Sequence, residues 1–503
     1  MTNIDSKFQT VCEHARHTVL LQTIADTLEW DERTGMPIGG GEYRVTQVST
    51  LRAMAHSHLT EPRFGEQLRE LLPSIDGEDK HGDVATTVRL LLRDWERASK
   101  LPVDLVKRIS QATVRGQQVW DAARKADDFK AFAPSLQEIV ELKREAGQLL
   151  AAGGDPYEAL VDEYEPGAKI ETLNAVFESL RTPLVDLVAK LQEAPHQPNV
   201  TILRRQFPID GQRQLSRYVA ESIGFDFNRG RLDETSHPFC TSLGPNDCRI
   251  LSRYDQHWLP AGLYGTMHEA GHGMYDQGLR GDWHGLPPGS YVSLGIHESQ
   301  SRLWENQVGR SAAFWKWLLP KAKQLLGGSL ADCSVEDVHF AVNAVRPSLI
   351  RVEADEATYN LHIIIRFELE KALISGELQV ADLPTAWDEA YEQYLGIRSA
   401  SAADGVLQDV HWSAGLFGYF PTYTLGNLAS AQLFQTAQSE MQELDSQLEQ
   451  GEFGGLLGWL RANIHRHGRC FTGDELIENA TKMPLSAKPL LDSLQNRYAQ
   501  LFY

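Results

Sequence analysis

Cysteine is scarce in this chain. There are five in 503 residues, Cys12, Cys240, Cys248, Cys333 and Cys470, and no two are spaced as Cys-x-x-Cys. That pattern suggests neither a disulfide framework nor a thiolate zinc site. Positive charge is also short. The 48 Lys and Arg against 68 Asp and Glu leave a formal net charge of -20, without the clustered basic surface that nonspecific nucleic-acid binding needs. No apolar run approaches the ~20 residues that span a bilayer, and Ile363-Ile364-Ile365 is far too short. The opening Met-Thr-Asn-Ile-Asp-Ser-Lys lacks the charged-then-apolar layout of a secretory signal. The expectation is a cytoplasmic protein with no nucleic-acid and no membrane partner. Internal repeats, low-complexity tracts and long Pro/Ser linkers are missing too. A single domain over 1–503 follows as an expectation, with a helical N-terminal part to about 195 and the remainder from about 196.

What is present is helical periodicity. Leu20, Leu21, Ile24 and Leu28 predict an apolar face on a first helix ending near Trp30-Asp31. Similar patterns predict helices over 84–98, 103–124, 134–151 and 170–192, and the i, i+4, i+8 set Leu361, Ile365, Leu369 predicts a core stripe. Segment 198–209 is a strand candidate, and 226–260 reads as a small sheet beside a functional site. Gly405–Asn427, with six aromatics or histidines, reads as a functional loop. The expected fold is mainly helical: one large two-lobed body around a deep groove.

The chemistry sits in His268-Glu269-Ala270-Gly271-His272. Two histidines four apart on a helix share a face and can both reach one metal ion, and Glu269 stands where a general base for an attacking water belongs. Ala270 and Gly271 permit close approach by a neighbouring element. An extended three-histidine site would need Gly at 275 and His at 278, but Tyr275 and Gly278 stand there, which excludes it. The third ligand lies among Asp282, His284, His297, Glu298 and Glu305. Glu298 is preferred, because a carboxylate delivered from a second helix suits a His₂Glu zinc site. Such a site could also accept Co²⁺ or Mn²⁺. Asp276, two turns beyond His268, is placed to accept a hydrogen bond from a ligand imidazole or its neighbour.

Around this core the chain resembles the carboxypeptidase Taq family of metallocarboxypeptidases. The resemblance runs over nearly the whole chain and rests on motifs in family order. These are Leu28-Glu29-Trp30-Asp31, Asp162-Glu163-Tyr164-Glu165-Pro166-Gly167, His237-Pro238-Phe239, Asp247-Cys248-Arg249, His268–His272, His297-Glu298-Ser299-Gln300, Ile350-Arg351-Val352-Glu353-Ala354-Asp355 and Gly405–Trp412. One departure is Leu251, where the family carries threonine. The resemblance implies a helical, groove-containing fold akin to neurolysin and angiotensin-converting enzyme. It also implies a homodimer and release of single C-terminal residues from peptides, with broad specificity that is poor for proline.

Further site residues follow with that resemblance. His411 and Tyr423 resemble the oxyanion donors of neurolysin-like enzymes, with Tyr419 next in line. Arg351 is the expected receptor for the substrate carboxylate, since a planar guanidinium binds it bidentately. Arg249 and His237 are further substrate-binding candidates. The alternatives are a helical zinc oligopeptidase cutting inside short peptides and a non-catalytic peptide-binding relative; the intact Glu269 argues against the latter.

Overall fold

Helices fall where the periodicity predicts them: Asp83–Lys100, Val103–Ala126, Phe129–Ala151 and Ile170–Gln192. The computed structural model describes residues 3–503. It is mainly helical, with one small sheet. The chain forms two compact units. The first takes the residues up to Ser99 with Asn199–Val342 and Leu433–Pro484; the second takes Lys100–Pro198, Asn343–Gln432 and Leu485–Tyr503.

In the first unit, strands β1 (Gly230–Glu234), β2 (Cys240–Gly244) and β3 (Asp247–Ser252) form a sheet of order β1-β3-β2. β3 runs parallel to β1 and antiparallel to β2, with Cys240 opposite Ile250 and Ser242 opposite Cys248. Side chains alternate across β3. Cys248 and Ile250 face the helix Leu259–Gly278, which carries the His-Glu-x-x-His motif, whereas Arg249 turns to the other face and lies 4.1 Å from the Trp30 ring centroid. Gly273 makes the helix-to-sheet contact possible, because a Cβ there would meet the Phe225 ring at 2.6 Å and Ile250 at 3.1 Å.

A second helix, Leu294–Arg302, crosses the motif helix at Gly271. A Cβ on Gly271 would sit 2.6 Å from the Gln300 carbonyl oxygen and 2.6 Å from Ser301 Cα, so only glycine allows the two backbones to touch. Ser293 caps this helix by accepting from Ile296 N at 3.2 Å. It continues directly into a π-helical turn, Leu303–Val308.

The second unit is built around the helix Glu356–Ser375. Asp355 caps it by accepting from Ala357 N and Thr358 N at 3.0 Å each, and Gly376 ends it at φ 88°. Leu361, Ile365 and Leu369 are all buried, as their spacing predicts.

Three local expectations are corrected. Residues 198–209 form no strand: Asn199 accepts from Thr201 N at 3.2 Å and starts the 3-10 turn Val200–Arg204, a side-chain cap that competes with ladder pairing. The first helix runs to Thr34, and Leu20 and Ile24 are 54% and 42% exposed. Ala25 and Ala55 are buried, and Arg52 on the helix Gly41–Leu59 ties it to the first helix by pairing with Asp26 and Glu29. The aromatic stretch after Gly405 is irregular only to Phe420; Tyr423 and Asn427 stand on the helix Pro421–Glu440.

Candidate active site

Each unit carries one cluster of the residues singled out above. In the first, His268 Nε2 and His272 Nε2 lie 3.5 and 3.4 Å from the same oxygen, Glu298 Oε2. Donors on a tetrahedral ion with bonds of about 2.1 Å stand about 3.4 Å apart, so these three atoms fit one metal. The far ring nitrogens are already used. His268 Nδ1 donates to Glu305 Oε2 at 2.9 Å and His272 Nδ1 to the His297 carbonyl at 3.0 Å. Both partners only accept, so the Nδ1 atoms carry the protons and the Nε2 lone pairs turn toward Glu298.

The electrostatics agree with a cation site. Burial and the neighbouring His297 pull the His272 imidazole down to about 4, which keeps it neutral. Burial also opposes charge on His268, yet Glu298 and Glu305 outweigh it and leave that ring raised. Burial pushes the Glu298 carboxyl up, but Arg302, His268 and His272 together hold it well below the usual range. Arg302 spans both carboxylates, donating to Glu298 Oε1 at 2.7 Å and to Glu305 Oε2 at 3.2 Å. Glu269 is buried between the two ligands in sequence, and burial raises it to about 7. Asp276 meets a neighbour of a ligand: its Oδ1 lies 3.2 Å from His297 Nε2, and the His297 ring stacks on His272 at 4.4 Å.

In the second unit, Asp409 joins two guanidiniums. Arg351 Nε donates to its Oδ1 at 2.9 Å and Arg366 Nε to its Oδ2 at 2.7 Å. Arg351 Nη1 also donates to Tyr359 Oη at 2.9 Å, and the Tyr423 ring centroid lies 5.2 Å from the Arg351 guanidinium carbon. His411 Nε2 is 3.3 Å from Tyr423 Oη, while burial and then Arg351 push the imidazole down to about 3. Tyr419 packs on both, with ring centroids 5.5 Å from His411 and 5.4 Å from Tyr423.

The remaining candidates stand apart from these clusters. Arg249 forms a bidentate pair with Asp247, both contacts at 2.9 Å, on the sheet face turned away from the motif helix. His237 is exposed on the β1–β2 connection. Leu251, the departure from the family pattern, is fully buried. Sequence reasoning missed the role of Glu305 as the carboxylate behind His268, although Glu298, Arg302 and Glu305 at i, i+4, i+7 share one helix face. It also missed Arg366, a lone guanidinium beside the Ile363-Ile364-Ile365 run.

Comparisons with known proteins agree along the whole chain. The family model described as carboxypeptidase Taq (M32) metallopeptidase matches residues 10–498. Thermostable carboxypeptidase 1 of Thermus thermophilus is 44% identical over 507 residues, covering 99% of each chain. Carboxypeptidase 1 of Bacillus subtilis is 37% identical over 94% of each. The crystal structure of the M32 carboxypeptidase from Deinococcus radiodurans superposes with a TM-score of 0.95 at 39% identity, over 99% of both chains. The chain belongs to the carboxypeptidase Taq (M32) metallopeptidase family and is a metallocarboxypeptidase.

Proposed function

We propose that the metal of this carboxypeptidase is zinc, held by His268, His272 and Glu298, and that the enzyme removes single C-terminal residues from peptides with broad specificity, poorly at proline. The observation that carries the metal assignment is the pair of 3.4–3.5 Å donor separations around Glu298 Oε2, with both Nδ1 atoms bonded elsewhere. The breadth of specificity is an implication of the family resemblance. When bound, the metal supplies Lewis acidity, which activates a water and polarises the scissile carbonyl.

The chain's own residues do the rest. Glu269, raised to about 7 by burial, takes a proton from the attacking water at its carboxylate and passes it to the leaving amine. Glu305 and the His297 carbonyl fix the ligand rings, and Asp276 steadies His297. We assign oxyanion donation to His411 and Tyr423, both uncharged donors, with Tyr419 packed behind them. Arg351 is assigned to the substrate carboxylate: two guanidiniums share one aspartate in its cluster, so one positive charge is left to meet an anion. The family resemblance, rather than either cluster, assigns Arg249 and His237 to supporting contacts with the peptide. Residues 1–503 act as one catalytic domain, as a homodimer in the cytoplasm. Among the described residues no helix is long and apolar enough to cross a membrane.

The test is metal analysis combined with hydrolysis of N-blocked peptides that differ at the C-terminal residue, each offered as free acid and as amide. Zinc at one equivalent, stepwise release of free amino acids and weak turnover of the amides are expected. Internal fragments without free C-terminal residues would show an oligopeptidase instead.

A further inference from the structure

The face of β3 turned to the motif helix carries a second group of ligating atoms that the peptidase reading does not use. Cys240 Sγ and Cys248 Sγ lie 3.7 Å apart, and a donor atom of each sits within 4.8 Å of an Asp276 carboxylate oxygen. All five cysteines are free thiols, so the pair is not a disulfide. Two sulfurs on one tetrahedral zinc with bonds of 2.3 Å stand about 3.8 Å apart, which is the separation seen here. Cys248 is buried, Asp276 is nearly so, and Cys240 is half-buried.

Apart from the weak Cys248 contact to the Gly273 carbonyl at 3.8 Å, the sulfurs are bonded only to each other. The eight-residue spacing gave no sign of this. The antiparallel register places Cys240 and Cys248 diagonally on one face, and the motif helix brings Asp276 across.

We propose that Cys240, Cys248 and Asp276 form a second metal site, for a thiophilic divalent cation such as Zn²⁺ or Cd²⁺, next to the catalytic one. Each thiol releases its proton to solvent as the ion binds, so two protons leave per cation. Asp276 links this site to the first, because the carboxylate that would take the ion also holds His297, whose carbonyl accepts from His272. A second ion therefore competes with His297 for Asp276 and loosens the His272 ring. Occupancy of this site inhibits.

The test adds Cd²⁺ to enzyme already loaded with one equivalent of zinc and follows uptake, the thiolate-to-cadmium charge-transfer absorption and peptidase activity together. One further equivalent, a charge-transfer band and loss of activity are expected. Cys240→Ser and Cys248→Ala should each abolish the band and the inhibition; Cys240, being half-buried, gives a variant that keeps its fold. The double variant His268→Ala/His272→Ala should keep the band although it has lost the catalytic site, so failure of the zinc peptidase reading is told apart from failure of this one. No band, or a band and inhibition that survive loss of both cysteines, would overturn the proposal.

Discussion

The two buried clusters balance charge differently. In the first unit Glu298 and Glu305 pair with two guanidiniums, Arg302 and Arg310, and Glu269, which burial raises to about 7, lies beside them with no guanidinium in ion-pair contact. In the second unit one carboxylate, Asp409, faces two guanidiniums, Arg351 and Arg366. A buried charge without a partner is costly. The proposed function completes the first cluster with a cation and the second with the carboxylate of the substrate, and this contrast is what supports that assignment.

The strongest way to break the comparison is Glu269→Gln. It removes the proton carrier but no metal ligand, so activity should fall by roughly 10²–10⁴ while metal content is unchanged. Parallel kcat and metal measurements check it; retained turnover would remove Glu269 from the mechanism. Next comes Asp409→Ala, which leaves two buried guanidiniums facing each other and should destabilise the protein by about 3–5 kcal/mol in denaturant unfolding. A loss near zero would mean that the second cluster is solvated and that its surplus charge carries no information.

A third test concerns a carboxylate with no ionic partner in hydrogen-bonding contact. Glu370 accepts from Tyr157 Oη at 2.8 Å, Trp412 Nε1 at 2.9 Å and Gly418 N at 2.9 Å, yet burial raises it from 4.5 to about 7. The folded state therefore binds this proton more tightly than the unfolded one. The associated stability is complete below the unfolded value and is lost as pH rises through the folded one, a decline on the order of 3 kcal/mol. Urea midpoints measured on either side of that window should show the fall in the wild type, and Glu370→Gln should flatten it. The smallest effect is expected from Glu305→Gln. Weakening the hydrogen bond behind His268 should cost about 10–100-fold in metal affinity, read by competition with a chelator, with the fold intact. An unchanged affinity would show that Arg302 alone organises the ligands.

Much of the first cluster was legible because it is local. His268, Glu269 and His272 share one helical turn, so spacing grouped them, and Glu298 was preferred among five candidates by ligand chemistry. Gly271 was read as permitting close approach, and it is the point where the Leu259–Gly278 and Leu294–Arg302 backbones meet. The second cluster was legible only residue by residue. Arg351 and His411 were picked out by motif, but Asp409, which both approach, received no role, and Arg366 was hidden in an apolar run. Arg351 and Arg366 each reach Asp409 from more than forty residues away, and no periodicity reports on such a pairing. The strand expected at 198–209 failed for a related reason. Its β-branched residues had no neighbouring strand, and a single asparagine cap decided the local backbone.

The sequence by itself determined the helical class, the small sheet before the motif helix, and the shared helix face of His268 and His272 with Glu269 between them. Each depends on a period or spacing within a few turns, where covalent geometry dictates which side chains meet. Tertiary structure alone decided which nitrogen of each histidine is free, which arginines share Asp409, that Arg249 turns to Trp30, and that Cys240, Cys248 and Asp276 converge. Those outcomes depend on strand register and on how closely two helices can approach, and both are settled by packing across the chain.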